Sequence, residues 1–258
     1  MKRKNSIIYV VPSVSSFIKN DINVLLKNYN VITNIYNWKK KYLVPLYLIH
    51  QIFFYLKNAP RAKAIFISFG GLWSVIPSFT GKIKGTPVFI ILNGTDCASI
   101  RALKYGSLRK KTIRTACRIS YQFCDLLLPV SESLVKIKNI YHDDDEDSYQ
   151  GFKHFFPKLK TSHMTIHNGL DTEFWKKPEN VEKEAGSFIA VFNNNQYFLK
   201  GGDLIIEVAK KFPDCRFQIA GCNTPAEEID VPSNVNFLGK IKPDELKELY
   251  SKSRYHLQ

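Results

Sequence analysis

Short apolar runs alternate with stretches of helical length along this chain, and this alternation constrains the fold more than any other feature. Six runs are predicted as buried strands, because each is apolar and ends at Gly, Pro, Asn or Ser: SIIYVVP, VITNIY, AIFISFG, TPVFIIL, DLLLPVS and MTIHNG. Helices are predicted between them, at residues 18–28, 72–83, 108–123 and 133–140. Alternating strands and helices predict a parallel sheet covered on both faces, so the first part is read as a doubly wound α/β domain.

A polar segment, KKPENVEKEAG, follows Trp175 and is typical of a linker. The alternation then restarts with SFIAVFN, a predicted helix at 203–212, CRFQIAG, NVNFLG and a predicted helix at 244–252. We therefore predict two domains, residues 1–175 and residues 176–258. A doubly wound domain generally has five or six strands. Only about three are visible here, so we expect the second domain to be incomplete.

Composition excludes several classes of protein. With 45% hydrophobic and 23% charged residues in a chain of 258, a sizeable core forms and disorder is not expected. The five cysteines form no CxxC pair and have no histidines at metal-ligand spacing, which fits a reduced, cytosolic compartment. The apolar run before Pro12 has only about six residues, fewer than a signal peptide needs.

Positive charge is concentrated in the first part of the chain. Residues 1–165 hold 25 Lys and Arg against 9 Asp and Glu, a net +16, whereas residues 166–258 hold 12 against 14, a net −2. The stretch from Arg101 to Arg118 has seven basic residues and no acid. Such a surface favours an anionic partner: a membrane, a phosphorylated substrate or nucleic acid. Nucleic acid is the weakest of these, because no base-reading module accompanies the basic stretch.

The segment YLVPLYLIHQIFFYL, residues 42–56, follows Lys39, Lys40 and Lys41. It is too short, and too interrupted by Pro45, to span a bilayer. A basic cluster beside an apolar, aromatic helix is typical of a segment that lies on an anionic membrane surface. A buried core helix flanked by solvated lysines gives the same pattern. Both interpretations stay open at this point.

Several motifs of common chemistry are absent from the sequence. There is no GxxxxGK[ST], GxGxxG, GxSxG or HExxH, so P-loop, standard dinucleotide and common hydrolase classes are not supported. The acidic run at residues 143–147 lacks the alternating ligands and glycine of a calcium loop, and it is read as a solvated loop.

The turn after SFIAVFN carries the strongest chemical signal. A polar loop leads to Lys200, Gly201 and Gly202, and a predicted helix opens at Asp203. Glycines at a helix start let backbone N–H groups approach a ligand, and the helix dipole favours an anion there. The pattern fits a diphosphate site. A helix start capped by Asp203, with a solvated lysine beside it, fits equally well.

Three pieces of the second half occur in the order found in one enzyme family. They are HNGLDTEFW, LKGGDLIIEVA, and FQIAGCN followed by NVNFLGKIKPDELKELYSKS. With the looser matches TPVFIILNGTD and CDLLLPVSES, the chain resembles the retaining glycosyltransferases of family 4, which have the GT-B fold of two Rossmann-like domains.

The resemblance implies a nucleotide-diphosphate sugar bound by the second domain and an acceptor bound by the first, without a metal or other cofactor. Donor-binding residues carried over by position are Lys200, Gly201, Gly202, Asn195, Gly221, Gly239, Lys240 and Ile241. Asn93, Gly94 and Asp96 would face the cleft on the acceptor side, and Asn168 and Gly169 belong to the interdomain segment. No catalytic residue is assigned.

The chain departs from the family pattern at three places. Asn195 stands where the family has an arginine, and Asn93 where it often has a histidine. The family's paired glutamates would lie beyond Gln258, so we expect little turnover from residues 1–258 alone. The expected acceptor is a lipid-linked or cell-surface glycan at the cytoplasmic membrane face. The alternative is a truncated, non-catalytic remnant or a protein that binds anionic lipid or glycan.

Overall fold

A computed structural model describes residues 5–138, 148–225 and 230–258. The chain divides into two compact units, Met1–Leu170 and Asp171–Gln258. The boundary predicted from sequence, after Trp175, lies five residues further along. The acidic run at residues 143–147 lies outside the described residues.

A five-stranded parallel sheet forms the centre of the first unit, in the order β2-β1-β3-β4-β5. Its strands are β1 (Ser6–Val11), β2 (Asn30–Ile35), β3 (Ala64–Ser68), β4 (Val88–Leu92) and β5 (Leu126–Pro129). The connecting helices are α1 (Ser16–Leu26), α2 (Val44–Asn58), α3 (Leu72–Lys84) and α4 (Lys111–Phe123). The order of strands reverses between β1 and β3, which makes this the switch point of a doubly wound sheet.

Helices cover both faces of this sheet, as the apolar strands predict. On one face, Tyr9 and Val11 of β1 pack with Ile18 of α1. On the other face, Ile8 of β1 belongs to a cluster with Tyr55 of α2, and Tyr121 of α4 is part of the same cluster. All six residues of β1 are buried, because neighbouring side chains point to opposite faces and both faces are covered.

Two elements predicted between β5 and the end of the first unit are wrong. Instead of a helix at 133–140, the described residues form a 3-10 turn at Glu132–Leu134 and a short strand, β6 (Ile137–Lys138). The Ser131 hydroxyl accepts from the backbone N–H of Ser133, and such local bonds favour a turn over a helix. Strand β6 pairs antiparallel with β7 (Tyr149–Gln150), and a one-turn helix, α5 (Phe152–Phe155), follows.

The segment MTIHNG, predicted as a strand, is not one in the structure, although it runs along the edge of β5. The backbone N–H groups of Met164 and Ile166 donate to the carbonyls of Leu127 and Pro129. The pairing amounts to a single bridge, between Leu127 and His163. Contact on one edge only, with exposed side chains at 166–169, leaves this segment irregular.

A four-stranded parallel sheet forms the second unit, in the order β10-β9-β8-β11. Its elements are β8 (Glu184–Val191), α6 (Gly202–Lys211), β9 (Arg216–Ala220), β10 (Val235–Gly239), α7 (Pro243–Lys252) and β11 (Ser253–Leu257). The order reverses between β8 and β11, the switch point of this sheet. Strand β11 was not predicted from sequence, because SRYHL has no apolar run.

No described helix is both long enough and apolar enough to cross a bilayer. Helix α2, the apolar segment singled out in the sequence, has 15 residues.

Candidate functional site

A cavity lies at the switch point of the second unit, at the carboxyl ends of β8 and β11. Doubly wound sheets bind ligands at this position, because the loops diverge there and leave a crevice. The cavity has a volume of about 270 Å³. Its lining comes from β8 and the following loop, from α7 and from β11: Val191, Phe192, Lys200, Tyr250, His256, Leu257 and Gln258. Lys200 was predicted from sequence to contact the donor diphosphate, and it lines this cavity.

The turn that carries Lys200 is held by its own backbone. The N–H of Lys200 donates to the Gln196 carbonyl at 2.8 Å, and the N–H of Gly202 donates to the Tyr197 carbonyl at 2.8 Å. The N–H of Gly201 donates to the Phe198 carbonyl at 3.2 Å. These three N–H groups are therefore already bonded, and the expectation that the glycine N–H groups approach a ligand needs correction. The positive group that this turn offers is the Lys200 side chain.

Glycine is favoured at the two positions of the turn for different structural reasons. Gly201 has φ +67°, a left-handed conformation that favours glycine. A Cβ on Gly202 would lie 2.6 Å from the ring of Tyr197, which is buried. Glycine at 202 is thus required by packing against Tyr197.

The loops after β8, β9 and β10 are joined by hydrogen bonds at the same edge of the sheet. The side chain of Asn194 accepts from the N–H of Asn223 at 3.2 Å. The N–H of Gly221 donates to the Gly239 carbonyl at 2.7 Å, and the N–H of Gly239 donates to the Cys222 carbonyl at 3.0 Å. The structure therefore brings together the predicted residues Gly221 and Gly239.

The remaining predicted donor residues lie on these loops. Asn195 is exposed on the 3-10 turn Asn194–Gln196. Lys240 is exposed and Ile241 is half-buried, directly after β10. A Cβ on Gly221 would lie 2.6 Å from the Phe192 carbonyl oxygen, so the close approach at Gly221 is to the neighbouring loop.

Tyr250 of α7 and His256 of β11 also line the cavity, and the sequence did not identify either of them as a site residue. Their rings meet edge to face, with centroids 5.3 Å apart. Burial raises the pKa of Tyr250 above its ordinary value of 10.0, and its hydroxyl can donate a hydrogen bond. No acidic side chain is among the described residues that line the cavity. Lys200, Tyr250 and His256 together offer hydrogen-bond donors suited to an anion.

In the first unit, the carboxylate of Asp96 lies between the loops that follow β3 and β4. It accepts from the N–H of Gly70 at 2.8 Å and from the N–H groups of Asn93 and Gly94 at 3.1 Å each. Asp96 is 1% exposed, and burial raises its pKa to about 6, although these hydrogen bonds act in the opposite direction. The expectation that Asp96 faces an open cleft is therefore corrected: its carboxylate holds two loops together.

The other residues expected on the acceptor side differ in exposure. The Asn93 side chain donates to the Ser68 hydroxyl at 3.1 Å and to the Ile91 carbonyl at 3.2 Å. Gly94 is buried with φ +120°. Asn168 and Gly169 are exposed and lie just before the division between the units.

Comparison with known proteins shows the fold. No protein-family model and no curated protein matches the chain. It is similar to the solved structure of UDP-GlcNAc 2-epimerase from Methanocaldococcus jannaschii, with 10% identity and a TM-score of 0.52 over 97% of this chain and 77% of that one. At this identity the likeness concerns the fold alone. Together with the two parallel sheets, it confirms two Rossmann-like domains of the GT-B type.

Two further solved structures have lower TM-scores. UDP-GlcNAc 2-epimerase from Neisseria meningitidis, bound to UDP-GlcNAc, has a TM-score of 0.47 and 12% identity over 97% of this chain and 76% of that one. UGT2 from Phytolacca americana, complexed with UDP-2fluoro-glucose and pterostilbene, has a TM-score of 0.48 and 9% identity over 97% and 75%.

Proposed function

We propose that this chain is a retaining glycosyltransferase of family 4, which takes a sugar from a nucleotide-diphosphate sugar and transfers it to a lipid-linked or cell-surface glycan. The observation that carries the proposal is the position of Lys200 in the cavity between the carboxyl ends of β8 and β11. The motif order from HNGLDTEFW to the helix α7 supports the family.

The chemistry of sugar transfer explains why a cation would lie there. Breaking the bond between the sugar and the diphosphate leaves negative charge on the departing diphosphate. A lysine positioned beside that charge stabilises the transition state, most strongly where water is excluded. His256 and the Tyr250 hydroxyl line the same cavity and can donate further hydrogen bonds to phosphate oxygens. These donors come from the chain itself, so the proposal includes no metal.

The likeness in fold to an enzyme named for UDP-GlcNAc supports a nucleotide sugar as the ligand. An epimerase would change the sugar on its nucleotide, whereas a transferase passes the sugar to an acceptor. The family motifs favour transfer. Product analysis with a glycan acceptor separates the two reactions, because only transfer attaches the sugar to the acceptor.

Binding of free nucleoside diphosphates tests the donor site without requiring turnover. Lys200→Ala should weaken binding, measured by calorimetry, by about 1.5–3 kcal/mol, the usual loss for a hydrogen bond to a charged group. The matched control is Lys210→Ala, at the other end of α6, where the lysine pairs with Glu207 at 3.2 Å on the surface. We expect that control to bind like the unaltered chain. Equal affinity of the Lys200→Ala variant would contradict the proposal.

A further inference from the structure

Helix α2 is held to the first unit by one face. Gln51 and Tyr55 are buried on that face. The Gln51 side-chain amide donates to the Asn34 side chain at 3.2 Å and to the Trp73 carbonyl at 3.3 Å. Tyr55 lies in the cluster under the sheet. The interpretation of this segment as a core helix is therefore correct for this face.

The opposite face of α2, with the turn before it, is apolar and exposed. Five side chains at spacings of four, three, four and three residues form what we name the α2 stripe: Tyr42, Leu46, Ile49, Phe53 and Leu56. Their exposed fractions range from 47% to 73%. This spacing places them on one side of a helix with 3.6 residues per turn. A contiguous exposed apolar surface of this kind normally marks an interaction site, so the α2 stripe indicates a partner.

Positive charge surrounds the α2 stripe. Lys39, Lys40 and Lys41 precede it, and Lys57 lies four residues after Phe53, on the same side of the helix. All four lysines are exposed. The sequence contains no acidic residue between Asp21 and Asp96. The partner of the stripe must therefore accept apolar side chains and carry negative charge around them.

We propose that the α2 stripe binds the surface of an anionic membrane, with α2 parallel to the surface. Its apolar side chains would enter the boundary between headgroups and acyl chains, about 5–10 Å deep, and the lysines would contact acidic headgroups. Each basic residue near such a surface raises the affinity roughly fivefold. The exposed aromatic residues Tyr42 and Phe53 suit this depth, since aromatic side chains favour the interface.

Charge argues against a second copy of the chain as the partner. Packing two α2 stripes face to face would bring lysines of both copies close together without an acid nearby in sequence. Like charges at such a contact oppose association. A membrane with acidic lipid offers the complementary charge. The proposal is independent of the proposed function, because it uses no residue of the second unit.

Vesicle cosedimentation tests the proposal with the whole chain. Vesicles of phosphatidylcholine alone are compared with vesicles that also contain phosphatidylserine. The chain should bind the mixed vesicles more strongly, and salt should weaken that binding by screening. The double variant Leu46→Ser with Phe53→Ser should lower the affinity for the mixed vesicles by roughly tenfold or more, because two large apolar contacts are lost.

Matched variants distinguish the α2 stripe from general effects. Val24 and Leu26 are exposed apolar residues of α1, so Val24→Ser with Leu26→Ser removes similar groups elsewhere. Replacing Lys39 and Lys40 with Gln should weaken binding, whereas replacing the exposed Lys110 and Lys111 with Gln should have a smaller effect. All altered side chains are exposed, and thermal unfolding verifies that each variant folds.

Three results would overturn the proposal. One is equal binding to neutral and acidic vesicles. Another is equal loss of binding from the α1 and α2 double variants. The third is a dimer, detected by sedimentation velocity without lipid, that only the α2 variant dissociates. That result would assign the α2 stripe to contacts between copies of the chain.

Discussion

The carboxyl edges of the two sheets are built alike and used differently. In the first unit, the loops after β3 and β4 surround a buried carboxylate, Asp96, which accepts the backbone N–H groups that could otherwise bind a ligand. In the second unit, the N–H groups of the turn at Lys200 are satisfied by backbone carbonyls, and the lysine side chain is left to line a cavity. The carboxyl edge of such a sheet can therefore be occupied by a buried carboxylate of the chain itself, or it can present a charged side chain to a ligand.

The net charge of each unit is opposite in sign to the charged side chain at the carboxyl edge of its sheet. The first 165 residues carry a net +16, although the charge at their sheet edge is the buried carboxylate. The remaining residues carry a net −2, yet their cavity is lined by Lys200. The basic surface of the first unit therefore concerns partners outside its sheet edge, as α2 illustrates. Net charge alone does not locate a site.

Burial of Asp96 should make the stability of the first unit depend strongly on pH. Asp96 has a pKa of about 6 in the folded chain, against 3.8 for the ordinary group. Between these values the folded chain holds a proton that the unfolded chain has lost, so the free energy of unfolding falls as the pH rises from about 4 to about 6. At ~1.4 kcal/mol per pKa unit, the fall is about 3 kcal/mol.

Asp96→Asn removes this titration. The free energy of unfolding of the unaltered chain, minus that of the variant, should therefore fall by about 3 kcal/mol between about pH 4 and about pH 6. Urea unfolding in a Trp175→Phe background measures it, because Trp38 and Trp73 then report on the first unit alone. If the free energies of unfolding of the two chains changed equally with pH, the Asp96 carboxylate would not be buried as described.

The next effect tests why the Lys200 turn contains Gly202. Gly202→Ala places a methyl group against the Tyr197 ring, which should lower the free energy of unfolding by about 1–3 kcal/mol. Gly169→Ala is the matched control, since nothing lies within 4 Å of its added Cβ. Calorimetric unfolding compares the two variants. Unchanged stability of Gly202→Ala with weaker nucleotide binding would instead mean that a ligand approaches this glycine.

The smallest effect concerns Asn195, on the exposed 3-10 turn before Lys200. The family that the sequence resembles has an arginine at this position, so Asn195→Arg should add a second cation near the cavity. We expect nucleoside diphosphates to bind two- to fivefold more tightly, on the order of 0.5–1 kcal/mol, because the new charge is solvated. Asn195→Gln controls for side-chain length. No gain over the Gln variant would place this turn away from the phosphates.

Much of the fold could be predicted from sequence because its strands are buried on both faces. SIIYVV and FQIA are continuous apolar runs for this reason, and both are strands in the structure. SRYHL was missed because it has no apolar run, and three of its five residues are exposed. The helix predicted at 133–140 failed in its described part because Ser131 closes a local turn.

The candidate site could be predicted only in part. Lys200 was found because lysine and glycines beside a helix start form a recognisable pattern. Tyr250 and His256 reach the same cavity from elements that are distant in sequence, and no local pattern links them to Lys200. The Asp96 carboxylate likewise accepts a hydrogen bond from Gly70, which lies 26 residues earlier in the chain. Such contacts are set by the tertiary fold.

A crystal structure of this chain with a nucleoside diphosphate bound would show whether Lys200 holds the donor. The diphosphate should lie in the cavity at the carboxyl ends of β8 and β11, with a phosphate oxygen about 2.7–2.9 Å from Nζ of Lys200. An ordered nucleotide elsewhere, with the Lys200 side chain directed away from it, would refute the assignment of the donor site.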